Sequence, residues 1–307
     1  MDIGRRVFLS TAAAALPVLA SPAGANKSGR PRLGVIVDAS TPDAVEKAMQ
    51  KVKGFGLASC QASVGAVPSL SVAGPLKAAM KKYGVEVTAA MTLGPGHIEW
   101  NFYGGPLTCG LVPREMRAAR IDALQKASDL AQECGIKAVH THCGFIPEDP
   151  NEPLYSEVVE AIRTVGRHCG GNGQIFLMET GQESPVTLLR AITDTGLDNV
   201  KVNLDVANLI LYGKGEPVGA LDVIGKHVRG MHAKDGMYPT GPRELGKEVA
   251  IGKGRVNFPE VFRRLKELNY EGPVTIEREI SGPQQLADIQ ASKHFLQGLI
   301  DKNYGPA

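Results

Sequence analysis

The sequence has almost no charge of one sign to spare. Across 307 residues, 34 Lys and Arg stand against 32 Asp and Glu, a formal net charge of +2. The basic field on which non-specific nucleic-acid binding relies is therefore missing. Long hydrophobic runs are missing too: the leading apolar stretch, Val7 to Ala20, has 14 residues, against about 20 for a membrane-spanning helix. Cysteine is scarce, with five residues (Cys60, Cys109, Cys134, Cys143, Cys169) and no C-x-x-C spacing. That excludes a zinc-finger framework and predicts buried thiols rather than a disulfide scaffold. No strand-like run is followed by G-x-G-x-x-G or G-x-x-x-x-G-K-[ST], so phosphate-cradling nucleotide sites find no support. Gly (36) and Pro (20) follow no collagen-like period, and no block of like charge marks a disordered tail. What is present, 43% hydrophobic and 21% charged residues, describes a globular chain with ample apolar surface for a core.

Residues 1–25 read as an export leader ahead of a single domain over 26–307. Arg5 and Arg6 precede the apolar run, and Ala23-Gly24-Ala25 offers an A-x-A cleavage site. The segment Arg5-Arg6-Val7-Phe8-Leu9 resembles the twin-arginine signal of bacteria. That resemblance implies passage through the twin-arginine translocase as a folded protein, no stable membrane anchor, and a periplasmic or secreted location, where phosphorylated metabolites are scarce. An ordinary secretory leader with adjacent arginines is the alternative.

Beyond the leader, short apolar runs alternate with longer amphipathic ones. Strands are expected over 32–38, 56–61, 85–93, 136–142, 174–180, 200–205, 227–233 and 273–279, several of them nearly continuous apolar runs of the kind parallel strands show. Between them, 114–134 places Ile121, Leu124, Ala127, Leu130 and Ala131 on one helical face. Thr41-Pro42 and Ser184-Pro185 read as N-caps followed by proline at N1, and 258–268 as a late helix carrying Phe258, Val261, Phe262 and Leu265. Eight βα units in about 270 residues predict an α/β fold, a (β/α)8 TIM barrel. A doubly wound open sheet is the alternative.

Chemistry in such a barrel sits where strands end. The fifth run ends in Glu179, the sixth in Asp205, the seventh in His232 and the eighth in Glu277. Three carboxylates at one rim would repel one another and raise their pKa values unless a cation lay among them. Together with the imidazole they offer mixed oxygen and nitrogen ligation for one divalent ion, Mn²⁺, Co²⁺, Fe²⁺, Mg²⁺ or Zn²⁺. Taken singly, a strand-end glutamate more often caps a helix or pairs with lysine.

The segments METGQE (178–183), VKVNLDVANL (200–209), HAKDG (232–236) and GPVTIERE (272–279) resemble the xylose isomerase-like TIM barrel superfamily, across essentially the whole chain after the leader. The Glu, Asp, His, Glu order, at spacings of 26, 27 and 45 residues, is the most specific element. The resemblance implies that Glu179, Asp205, His232 and Glu277 bind the metal and that Glu179 and Glu277 act as the acid/base pair. It implies a sugar isomerase or epimerase acting on an unphosphorylated sugar, keto-sugar or cyclitol by proton abstraction beside a carbonyl held by the metal. Members are often dimers or tetramers, so a homo-oligomer is implied as well, with nothing in the sequence marking an interface. Two departures stand out. Ketose epimerases tend to carry a histidine where this chain has Asn208, and an amide orients a hydroxyl without moving protons. Gly246-Lys247-Glu248 stands where the trinuclear nucleases of the superfamily have a D-x-H pair, which argues against nuclease chemistry.

Further substrate-binding candidates are His142, on the same side of the fourth strand as His140, together with Asn208, Lys234 and Trp100. For Lys234 the rival role is a salt bridge to Asp235, and for Glu279 a loop-bracing salt bridge. Trp100, the single tryptophan, lies in a glycine-flanked loop over 94–105 suited to cover a sugar. Residues 236–257 form a second long loop, from which Arg243 could reach a polar substrate. Two other functions stay open: a lyase or dehydratase acting on a 3-keto-glycoside or inosose through the same enolate, and a non-catalytic carbohydrate-binding barrel.

Overall fold

The computed structural model describes residues 29–306; the leader expected over 1–25 lies outside the described residues. Eight parallel strands close on themselves in chain order: β1 (Arg32–Asp38), β2 (Ser59–Ser63), β3 (Glu86–Met91), β4 (Ala138–Thr141), β5 (Ile175–Glu179), β6 (Val200–Asp205), β7 (Val228–Ala233) and β8 (Pro273–Ile276), with β8 pairing back onto β1. Around them lie α1 (Pro42–Gly54), α2 (Ala73–Tyr83), α3 (Arg114–Cys134), α4 (Pro153–Gly171), α5 (Pro185–Thr195), α6 (Pro217–Ile224), α7 (Phe258–Glu267) and α8 (Pro283–Tyr304). The expected (β/α)8 barrel is the fold. Among the described residues no helix is long and apolar enough to cross a membrane, and all five cysteines are buried and free.

Local chemistry sets the helix ends. Thr41 accepts from the Ala44 N–H and Ser184 from the Thr187 N–H, each ahead of a proline that fixes the first turn. α7 buries Phe258, Val261, Phe262 and Leu265 on one stripe against the barrel. Two strand boundaries differ by three residues from the sequence reading, the others by at most two. β2 begins at Ser59 rather than 56, because Gly56 takes φ 64° and the N–H groups of Gly56 and Leu57 return to Lys53 and Val52 to close α1. β8 ends at Ile276, yet the Glu277 N–H still donates to the Ala233 carbonyl at 3.0 Å, so the alternation of side chains carries on past the strand.

Inward-facing side chains stack in layers, as barrel closure requires. Ala89, Ala138 and Leu177 form a small apolar floor. Above it the interior turns polar, with Gln61, Asn203, His140 and His232 all fully buried. Space there is short: a Cβ on Gly230 would lie 2.4 Å from Asn203 Oδ1.

The long segment between β3 and α3 is tied down at its base by Arg120. This arginine is 1% exposed and donates from Nε to the Pro95 carbonyl (3.1 Å) and from Nη1 to the Gly110 carbonyl (2.7 Å). Its stem lies against Gly94, where an added Cβ would come within 2.6 Å of Arg120 Cγ. Arg120→Ala strands the buried Gly110 carbonyl and the half-buried Pro95 carbonyl and leaves a void, so it should lower stability by about 2–4 kcal/mol; the shift in urea midpoint at constant m-value measures it.

Candidate metal centre

β5 to β8 each deliver one side chain to the barrel mouth, at the strand end or within one residue of it. Glu179 closes β5, Asp205 closes β6, His232 is the penultimate residue of β7, and Glu277 follows β8. One ligand-type atom from each of the four lies within 4.8 Å of the others. His232 Nδ1 is at the centre, 3.0 Å from Glu179 Oε1, 3.0 Å from Glu277 Oε2 and 3.9 Å from Asp205 Oδ2. Glu179, Asp205 and His232 are at most 2% exposed, so this cluster meets little water. The four residues expected to form one site are brought together.

The other ring nitrogen of His232 fixes its tautomer. His232 Nε2 lies 2.7 Å from Gln61 Oε1, and Gln61 Nε2 donates to Asn203 Oδ1 at 3.1 Å. The Gln61 oxygen can only accept, so Nε2 carries the proton and Nδ1 faces the carboxylates. A lone pair aimed at three carboxylates is repulsive. Either a second proton or a metal ion between them resolves the conflict. Asp205 supplies a further sign: its Oδ1 accepts from the Ala207 and Asn208 N–H groups, whereas its buried Oδ2 has no hydrogen bond among the described residues. A buried carboxylate oxygen that meets Lys234 Nζ at 3.3 Å and lies among a histidine and two glutamates fits a hard divalent cation, and the cluster could hold one.

The electrostatics are those of crowded like charges offset by cations. Burial pushes the Glu277 carboxyl up, but Lys234 and His232 outweigh it and hold it down to about 2. Burial likewise opposes ionisation of Glu179, and the imidazoles of His142, His232 and His140 reverse this, holding it well below the usual carboxylate range. Asp205 goes the other way: its burial is offset only in part by Lys234, and Glu277 and Glu179 push it further above its ordinary value. His232, desolvated but flanked by Glu179 and Glu277, is held well above an ordinary imidazole.

The remaining candidates fall around this centre. His140 and His142 place Nε2 at 2.8 and 3.2 Å from Glu179 Oε2. Asn208 Nδ2 donates to Glu179 Oε1 at 3.2 Å. Lys234 does not pair with Asp235. Its Nζ lies 3.3 Å from Asp205 Oδ2, 3.4 Å from Glu277 Oε2 and 2.9 Å from Glu279 Oε1, because neighbouring residues along a strand point to opposite faces. Asp235 instead accepts from the N–H groups of Gly236, Gly252, Gly254 and Val256, anchoring the loop after β7. The Glu279 carboxylate pairs with Lys234 rather than with a loop residue, and its backbone N–H donates to Glu248. Trp100 reaches the site, its ring edge-on to His142 with centroids 5.2 Å apart. Arg243 lies over the Tyr103 ring, 5.0 Å from its centroid.

Sequence reasoning missed Gln61 and Asn203, whose only signal was a polar residue at an inward strand position. It also passed over Glu183. That carboxyl is 2% exposed with Oε1 unbonded among the described residues, and burial raises its pKa to about 8.

A model of the family described as xylose isomerase-like TIM barrel matches residues 53–299. The crystal structure of a xylose isomerase domain protein from Planctomyces limnophilus is 30% identical, with a TM-score of 0.78 over 90% of this chain and 99% of that one. That of 3-keto-D-glucoside 4-epimerase from E. coli, 16% identical, shares the fold at a TM-score of 0.65 over 88% and 100% of the two chains. An uncharacterized protein of Methanocaldococcus jannaschii is 26% identical over 197 residues, 61% of this chain, and the match spans 64% of that relative's length.

Two outcomes are expected of this centre. Gln61→Leu frees the His232 ring and should weaken divalent-metal binding about 10–100-fold, measured by Mn²⁺ titration of chelator-stripped protein; unchanged affinity would show that the amide does not set the ring. Glu183 holds its proton to about pH 8 when folded but ionises near pH 4.3 unfolded. The native state thus binds more protons between these values, and stability falls as pH rises, by up to about 1.4 kcal/mol per unit. Glu183→Gln should remove that decline between pH 5 and 8 in paired denaturation curves.

Proposed function

Because the chain belongs to the xylose isomerase-like TIM barrel family, we propose that it is a divalent-metal-dependent sugar isomerase or epimerase. The observation that carries this reading is the quartet of Glu179, Asp205, His232 and Glu277, four strand-end ligands gathered within 4.8 Å. These four would hold the ion, and an ion bound there would supply a Lewis acid that polarises a carbonyl and acidifies the adjoining C–H. The substrate class is an unphosphorylated sugar, keto-sugar or cyclitol, met outside the cytoplasm if residues 1–25 act as an export leader.

The protein's own residues divide the proton work. Glu179 and Glu277 come from strands three apart in the ring, so they approach a bound sugar carbon from two sides. Glu277, held ionised by Lys234 and His232, is the base that removes the proton. Glu179, kept anionic by its three imidazoles, takes up a proton from solvent and delivers it to the opposite side of the carbon, while Glu277 releases the proton it removed to solvent. Asn208, fixed on Glu179 Oε1, orients a substrate hydroxyl and moves no proton. Lys234, buried and drawn far above an ordinary ammonium by Asp205, Glu277 and Glu279, steadies negative charge on the substrate oxygen. His142 and Trp100 form a wall against the ring.

Incubating the metal-loaded protein with ketoses, keto-glucosides and inososes in D₂O tests this. One deuterium should enter beside the carbonyl in a product otherwise of unchanged mass, and Glu277→Gln should slow the exchange by about 10²–10⁴-fold. A product lighter by a leaving group would make the enzyme a lyase. Binding without exchange or product from any of these sugars would overturn catalysis altogether.

A further inference from the structure

β3 and β7 stand opposite each other in the eight-membered ring of strands, yet the segments that follow them meet. The Phe102 N–H donates to the Arg243 carbonyl at 3.3 Å, and the Arg243 guanidinium lies over the Tyr103 ring at 5.0 Å. A link between loops of opposite strands is a strap across the mouth. Its inner side carries Trp100, set edge-on to His142, and Phe102, whose ring is 6.5 Å from that of buried Tyr212. Beneath it Glu179, Asp205, His232 and Lys234 are at most 2% exposed. The strap is firmly rooted at one end, where Arg120 clasps the carbonyls of Pro95 and Gly110. Its crossing point is held by little: one long hydrogen bond and one cation–π contact on a tyrosine that is 60% exposed.

We infer that the junction of Tyr103 with Arg243 sets the size of the substrate: the site takes a single sugar or cyclitol ring and discriminates against the same ring bearing a bulky aglycone. This rests on the sugar reading above and narrows it. A weak junction opens for entry and re-forms over a ring lying between the metal ligands and Trp100. A substituent projecting from the ring toward the strap keeps the junction apart and forfeits both contacts. Arg243 and Tyr103 are thus specificity residues that act on ligand size without taking part in proton transfer.

The chain reports on its own strap, since Trp100 is the single tryptophan. The metal-loaded full chain is titrated with D-fructose, 3-keto-D-glucose and an inosose, each beside its O-phenyl derivative, following Trp100 emission. Wild type should bind the accepted free ring about tenfold more tightly than its phenyl derivative. In Tyr103→Ala/Arg243→Ala, at two exposed positions whose loss leaves the core intact, the ratio should fall to about threefold or less, through tighter binding of the derivative. Acrylamide quenching of Trp100 without ligand should rise in that variant. A phenyl derivative bound as tightly as the free ring by wild type, or a ratio unmoved by the double substitution, overturns the inference and leaves the sugar reading standing. No emission change and no turnover with any of the six compounds, in either protein, overturns both.

Discussion

Three carboxylates gathered around one imidazole, two of them shut away from water and the third half-buried, set the terms for the whole barrel mouth. Left to themselves, Glu179, Asp205 and Glu277 could not all stay ionised in so little solvent. The surrounding structure answers with positive charge from Lys234, just past the end of β7, and from His232 at the centre, while His140 and His142 set Nε2 against Glu179. The compensation is uneven. Glu277 is driven down and Asp205 up, so the cluster holds one carboxyl that readily takes a proton beside two that resist it. The two that resist, Glu179 and Glu277, are the pair proposed to carry the proton work.

Support for the cluster comes from below. The chain from His232 through Gln61 to Asn203 lies entirely inside the barrel, and Gly230 leaves room for it. The polar layer therefore fixes which nitrogen of His232 faces upward, while the apolar floor of Ala89, Ala138 and Leu177 keeps water from reaching it underneath. Strands hold the four clustered side chains, and the long irregular segments are confined to the loops above.

Much of this was legible in the sequence because a barrel strand obeys a period of two. Once the runs ending at 179, 205, 232 and 277 were aligned as strand ends, the four ligands had to share a rim, and the boundary errors at β2 and β8 left that parity intact. Gln61 was harder to see, since one glutamine at an inward position carries the same signal whether it braces a histidine or faces a turn. The pairing of Lys234 was misjudged toward its sequence neighbour Asp235, where strand geometry sends the two side chains apart and each finds partners from other strands or loops. The meeting of Phe102 and Tyr103 with Arg243 joins residues some 140 positions apart, outside any helix or strand, and no periodicity encodes it.

The five cysteines complete the account from another side. All are buried and free, and burial drives the thiols of Cys60, Cys109 and Cys169 up to about 12. Because the thiolate is the species that oxidants and disulfides attack, the folded chain offers them almost nothing to react with. With every thiol buried, the folded barrel offers no surface sulfhydryl for exchange with another chain.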